Sequence, residues 1–133
     1  MNYQEINVYV VLINNEKILI LKRKNDIWEF AGGKIEWGEN PKDAAIRETA
    51  EETGIIPYDL MLVGITSATY PKDENEKHSL YLVYLGRCAD QKITLSDEHT
   101  EGRWLSLNEI KYMKLGLNAE SIPELIEDLI VPE

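Results

Sequence analysis

Hydrophobic positions in this chain fall in short blocks broken by polar residues. Tyr9 to Ile13 and Lys17 to Leu21 are β-branched-rich runs separated by Asn14, Asn15 and Glu16, which predicts an antiparallel hairpin. A basic cluster, Lys22, Arg23 and Lys24, follows it. Trp28 to Gly33 predicts a short strand running into a glycine turn, where backbone comes close to a ligand or takes positive φ. Further strands are expected over Leu62 to Thr69 and Ser79 to Arg87, joined by the polar stretch Pro71 to Lys77, with a last one at Arg103, Trp104 and Leu105.

Between the second and third of these regions lie the clearest helix signals. Asn40 is placed as an N-cap, Pro41 at the first helical position, Asp43 in the first turn and Gly54 just past the end, predicting a helix over Pro41 to Thr53. Ser106 to Glu109 is a capping-box pattern opening a short helix. Ser121 to Glu124 repeats it ahead of a terminal helix ending near Ile130. Strands interleaved with helices, without repeat or linker, predict one α/β domain spanning residues 1–133.

On a wheel of about 100° per residue, Glu48, Glu51 and Glu52 share one arc of the first helix. Ile46, Thr49, Ala50 and Thr53 lie opposite and predict the packing face, while Ala44 and Ala45 flank the acidic arc. Like charges at this spacing destabilise a helix by about 0.2–0.5 kcal/mol per pair unless a cation neutralises them. Magnesium or manganese, hard ions that prefer carboxylate oxygen, would do so. For the helix alone, a solvated acidic face is the competing reading.

Composition narrows the partners. With 133 residues, 44% hydrophobic and 29% charged, the chain is expected to form one globular core. A net charge of −10 argues against a nucleic-acid polymer, and an anionic ligand would need a cation to mediate. Apolar runs such as Val8 to Ile13 and Leu80 to Leu85 are too short for a helical membrane span. One cysteine, Cys88, expected to be buried, permits no internal disulfide; with no signal-peptide pattern, a cytoplasmic location is expected.

Reading outward from the acidic helix, Gly33, Glu39, Arg47, Glu48, Glu51, Glu52 and Gly54 stand at the spacing G-x5-E-x7-R-E-U-x-E-E-x-G-U, with Ile55 at the final aliphatic position. This resembles the Nudix box, departing only at Thr49, where an aliphatic residue is usual. The resemblance implies an α/β/α sandwich with a mixed β-sheet and a loop-helix holding the box. It also implies a hydrolase that cleaves a diphosphate bond in a nucleoside diphosphate derivative with Mg2+ or Mn2+.

By that resemblance Glu48, Glu51 and Glu52 are catalytic metal ligands, with a carbonyl near Gly32 as a further one. Arg47 and Glu39 are orienting partners. A general base is expected either in the box or on a later loop; in the run Asp97 to Glu101 the choice is Glu98, with Glu101 behind it and an exposed polar loop as the alternative. His78 and His99 fit no metal-ligand spacing and are read as ordinary surface or strand histidines.

Trp28 to Glu36 is similar to the run opening the box in the MutT branch, whose members hydrolyse nucleoside triphosphates including oxidised dGTP, although Ala31 stands where proline is usual. Arg23 and Gly33 are then expected to contact substrate. Asn118 is read either as a base contact or as the N-cap of the terminal helix, the latter preferred. Tyr70 and Pro71 keep ADP-ribose and dinucleoside polyphosphates open as substrates, and a non-catalytic nucleotide sensor is the alternative of another class. The resemblance also allows a homodimer.

Overall fold

The computed structural model describes residues 2–130. Among these, seven strands form one mixed sheet: β1 (Tyr3–Asn14), β2 (Lys17–Arg23), β3 (Trp28–Glu29), β4 (Ala31–Lys34), β5 (Tyr58–Lys72), β6 (Asn75–Arg87) and β7 (His99–Leu105). The helices are α1 (Pro41–Thr53), α2 (Leu107–Ile110) and α3 (Ile122–Ile126). Neighbouring strands run β3-β2-β1-β6-β5, while β4 pairs with β1 and β7 with β2. β1 runs parallel to β6, and the other pairings are antiparallel.

Helices cover both faces, giving the α/β/α arrangement. Val8, Val10, Leu12, Leu19 and Leu21 project toward Ala44 and Ala45 of α1, whereas Tyr9, Val11, Ile18 and Ile20 meet Ile110, Ile122 and Ile126 of α2 and α3. This alternation is the two-residue period of strands buried on both sides. No helix among the described residues is long and apolar enough to cross a membrane.

Four expectations need correction. Gly32 and Gly33 do not form a turn: they continue strand β4 without positive φ, and the turn comes later at Gly38, whose φ is 78°. A Cβ on Gly32 would lie 2.0 Å from the Val8 carbonyl oxygen, so close approach of two backbones is what excludes a side chain. Helix α1 buries Ala44, Ala45, Thr49, Glu52 and Thr53, not the side bearing Ile46 and Ala50, because small residues let it approach the glycines of β4. Ser121 makes no side-chain cap, being itself helical in backbone, and α3 ends at Ile126. Asn118 therefore is not the N-cap of that helix.

Replacement of the two glycines separates these effects. Gly32→Ala is expected to cost about 1–3 kcal/mol or more through the backbone clash, visible as a lowered melting temperature. Gly33→Ala meets the flexible end of the Glu48 side chain, its carboxyl atoms 2.6–2.8 Å from the new Cβ, and is expected to fold while losing activity by displacing that carboxylate. Equal loss of stability in the two variants would contradict this.

Candidate active site

Helix α1 is held at both ends by its own sequence. Asn40 Oδ1 accepts from the Lys42 amide at 2.9 Å, and Gly54, at φ 74°, returns its amide to the Ala50 carbonyl. The loop before the helix is tied to it through Arg47. Its Nε and Nη2 grip the two Glu39 oxygens at 2.8 and 2.9 Å, and Glu39 also accepts from the Glu36 amide. Nη1 reaches Glu48 at 2.9 Å and Glu51 at 3.3 Å, and Nη2 donates to the Lys34 carbonyl. Hydrogen bonds from Arg47, with the Glu36 amide, hold the Glu39 carboxyl down at about 2.

Arg47 thus ties Glu39 of the loop to Glu48 and Glu51 of the helix at once. Arg47→Lys removes the paired geometry while keeping the charge. It is expected to reduce metal affinity or turnover about 10–100-fold, checked by Mg2+ titration and steady-state rates; unchanged values would remove Arg47 from this role.

The three box carboxylates occupy different environments. Glu51 is exposed, while Glu48 is mostly covered by Gly33 and Arg47. Burial pushes the Glu48 carboxyl up against the opposing pull of Arg47. Glu52 is 3% exposed, and its Oε1 accepts from the Gly32 amide at 2.7 Å. Burial pushes its carboxyl up to about 9; the Gly32 amide opposes this, and the nearby Glu98 and Glu29 carboxylates reinforce it. Buried Glu52, with one amide donor and other carboxylates beside it, is suited to a divalent cation, which supplies the missing positive charge.

The loop carrying Glu98 is hooked to the end of α1. Thr94 and Ser96 amides donate to the Thr53 and Glu52 carbonyls at 2.8 and 3.1 Å, and the Trp104 indole donates to the Gln91 carbonyl. Glu98 is exposed and brings a carboxylate oxygen within 4.8 Å of Glu52 and His99, whereas Glu101 pairs with Arg103. Of the two loop carboxylates, only Glu98 is brought to the box.

Two residues outside the expected set join this site. Glu29 accepts from Arg23 at 2.6 Å, Tyr9 at 3.2 Å and His99 at 2.8 Å. Burial works to raise its carboxyl, but the hydrogen bonds from His99 and Arg23 outweigh it and hold Glu29 below the usual range. His99, read from sequence as an ordinary strand histidine, opens β7 but is buried between Glu29 and Glu52. His78 does remain a strand histidine, bonded to Gln4 and Ser67. Cys88 is buried, as expected.

Arg23, half-buried, lies between Glu29 and the Gly116 backbone, beside the segment leading to Asn118. Asn118 is 7% exposed, and its carbonyl accepts from Thr66 at 2.9 Å, but its Oδ1 has no partner among the described residues. Thr66 registers with Tyr81, and Tyr81 with Asn7, whose buried Nδ2 is likewise unpartnered. Tyr81 of this row stacks at 4.0 Å on Tyr9, whose hydroxyl donates to Glu29. A polar strip therefore crosses one face of the sheet and ends near the box.

The NUDIX domain family matches residues 4–129 of the chain. The chain is 32% identical over 116 residues to an ADP-ribose pyrophosphatase of Methanocaldococcus jannaschii, a match covering 84% of this chain and 66% of that protein. It is also 32% identical over 132 residues to the 8-oxo-dGTP diphosphatase of Escherichia coli, covering 95% of this chain and 92% of that one. The crystal structure of a MutT NUDIX hydrolase from Burkholderia pseudomallei superposes with a TM-score of 0.80 at 23% identity, covering 93% of this chain and 98% of that one.

Proposed function

The chain belongs to the NUDIX family and is a Nudix hydrolase, and we propose that it cleaves a nucleoside triphosphate, oxidised dGTP included, to the monophosphate and pyrophosphate. The observation that carries the choice of substrate is the pair of buried, unpartnered amide groups, Asn118 Oδ1 and Asn7 Nδ2. An unsatisfied buried polar group is costly, and a base edge offering a donor and an acceptor would satisfy both. The near full-length match to the 8-oxo-dGTP diphosphatase supports the same class.

Glu48, Glu51 and Glu52 would hold Mg2+ or Mn2+, with Gly32 contributing its amide to Glu52 and Gly33 leaving room for Glu48. When bound, the metal offsets charge on the diphosphate and makes water a better nucleophile. Glu98 accepts the proton of the attacking water, being the exposed carboxylate beside the buried ones. Arg23, aimed by Glu29, presents its remaining donors to a phosphate of the substrate. Arg47 keeps the box glutamates in register.

A second reading, hydrolysis of ADP-ribose, is favoured by the likeness to the archaeal pyrophosphatase. A product-resolved assay over nucleoside triphosphates, 8-oxo-dGTP, ADP-ribose and dinucleoside polyphosphates decides between them. Pyrophosphate from a triphosphate, abolished by EDTA, is the expected result. AMP and ribose phosphate from ADP-ribose at a higher kcat/KM would overturn it in favour of the second reading. No turnover on any substrate would favour a nucleotide-sensing role.

A further inference from the structure

Beside the box, His99 has a buried ring nitrogen, Nδ1, without a hydrogen-bond partner among the described residues. It stands at a bulge: Lys22 registers with Glu101 but Arg23 with His99, so Thr100 is the extra residue that re-phases the start of β7. The ring is thereby turned inward, with only 1% of the side chain exposed. Nε2 lies 2.8 Å from Glu29 Oε2. Glu29 is already held by Arg23, and a carboxylate accepts, so the ring gives its Nε2–H to Glu29.

Nδ1 is the ring nitrogen left to bond elsewhere. That atom is buried and has no hydrogen-bond partner among the described residues. It faces Glu52 Oε2 at 3.8 Å, with a Glu98 oxygen close to both. A buried nitrogen left without a partner is costly, and a cation shared by these three groups would supply one. Two ligands about 2.0–2.2 Å from one ion lie roughly 3–4 Å apart, so the His99–Glu52 separation already spans a coordination edge.

We infer that His99 Nδ1 is a nitrogen ligand of the divalent cation, with Glu29 as the carboxylate that fixes its tautomer. Metal-binding histidines ordinarily give their other N–H to such a carboxylate, which orients the ring and strengthens the donor nitrogen. The Tyr9, Arg23 and His99 contacts of Glu29 then tie the phosphate-facing arginine to the metal through a single carboxylate. Glu98 stays on the solvent side, free to accept a proton. An imidazole donor shifts the preference from Mg2+, which takes oxygen ligands, toward Mn2+ and Co2+.

The inference rests on Glu52 being a metal ligand, as the proposed function has it. The test is pulsed electron paramagnetic resonance of the untagged chain loaded with Mn2+, read for modulation by the 14N of an imidazole. Modulation is expected in the wild type and in His78→Gln, and it is expected to be lost in His99→Gln. His99→Gln should also weaken Mn2+ binding about 10-fold or more, with Mg2+ binding changed less. Mn2+ bound without nitrogen modulation in the wild type would overturn this inference alone, whether or not the variant folds. Failure to bind Mn2+ at all would overturn both it and the metal-site reading.

Discussion

Glu52→Gln is expected to lower kcat at least about a hundredfold while leaving the metal-free melting temperature unchanged or raised. The loss should exceed the 10–100-fold typical of a residue that merely orients a ligand, because the carboxylate itself is removed. Stability should survive for a separate reason. Glu52 is almost fully buried, and burial together with Glu98 and Glu29 disfavours its ionised form. Glutamine keeps the shape and the oxygen that accepts from the Gly32 amide at 2.7 Å. What disappears is a charge that the metal-free fold accommodates poorly. Saturating Mg2+ should stabilise the wild type by about 2.7 kcal/mol at one hundred times its Kd, and the variant by much less. Steady-state rates and thermal melts with and without Mg2+ check both halves. Undiminished kcat would remove Glu52 from the metal site. A melting temperature lowered by several degrees would mean that its charge is a structural partner, with His99 the nearest candidate.

The elements legible in the sequence are those whose signals are local. Helix α1 begins and ends where Asn40 and Gly54 place it, because an N-cap side chain and a left-handed glycine act within one turn of the chain. Ser106 and Glu109 form the expected capping box for the same reason. Strand centres follow from β-branched runs, but β1 extends back to Tyr3, and β5 runs from Tyr58 to Lys72. Those extensions are polar or mixed, and they are strands because a neighbour pairs with them. The parallel pairing of β1 with β6 joins Tyr3 to Lys77, a distance no local pattern encodes. The buried side of α1 escaped the wheel because alanine and threonine carry little hydrophobic signal, and its position depends on the glycines of β4.

The candidate site divides in the same way. Glu39, Arg47, Glu48, Glu51 and Glu52 lie on one loop and helix, so spacing along the chain reports spacing in three dimensions. Glu29 and His99 stand 70 residues apart and meet only when β3 and β7 both join β2. A lone histidine in an acidic loop gives no sign of burial, since its inward turn depends on a bulge at Thr100. Asn7 and Asn118 are likewise ordinary polar residues until three strands bring them into one strip.

Glu98→Gln is expected to reduce kcat by about 10²–10⁴-fold, the contribution of a positioned general base, with metal affinity retained. The anchoring of its loop makes this more than a proximity argument. Amides of Thr94 and Ser96 are fixed to the last carbonyls of α1, so Glu98 keeps its place beside Glu52 while its own side chain stays exposed to solvent. Glutamine preserves size and hydrogen bonding but cannot take a proton from water. Glu101 lacks this position: it stands within β7, opposite Lys22, and is paired with Arg103. Glu101→Gln is therefore expected to leave kcat within a few-fold of wild type. Rates for both variants at saturating metal, together with Mn2+ dissociation constants, separate the outcomes. A fall in kcat matched by an equal fall in metal affinity would make Glu98 a ligand instead of a base. A larger loss in Glu101→Gln than in Glu98→Gln would mean that the wrong carboxylate of the loop has been assigned to the proton.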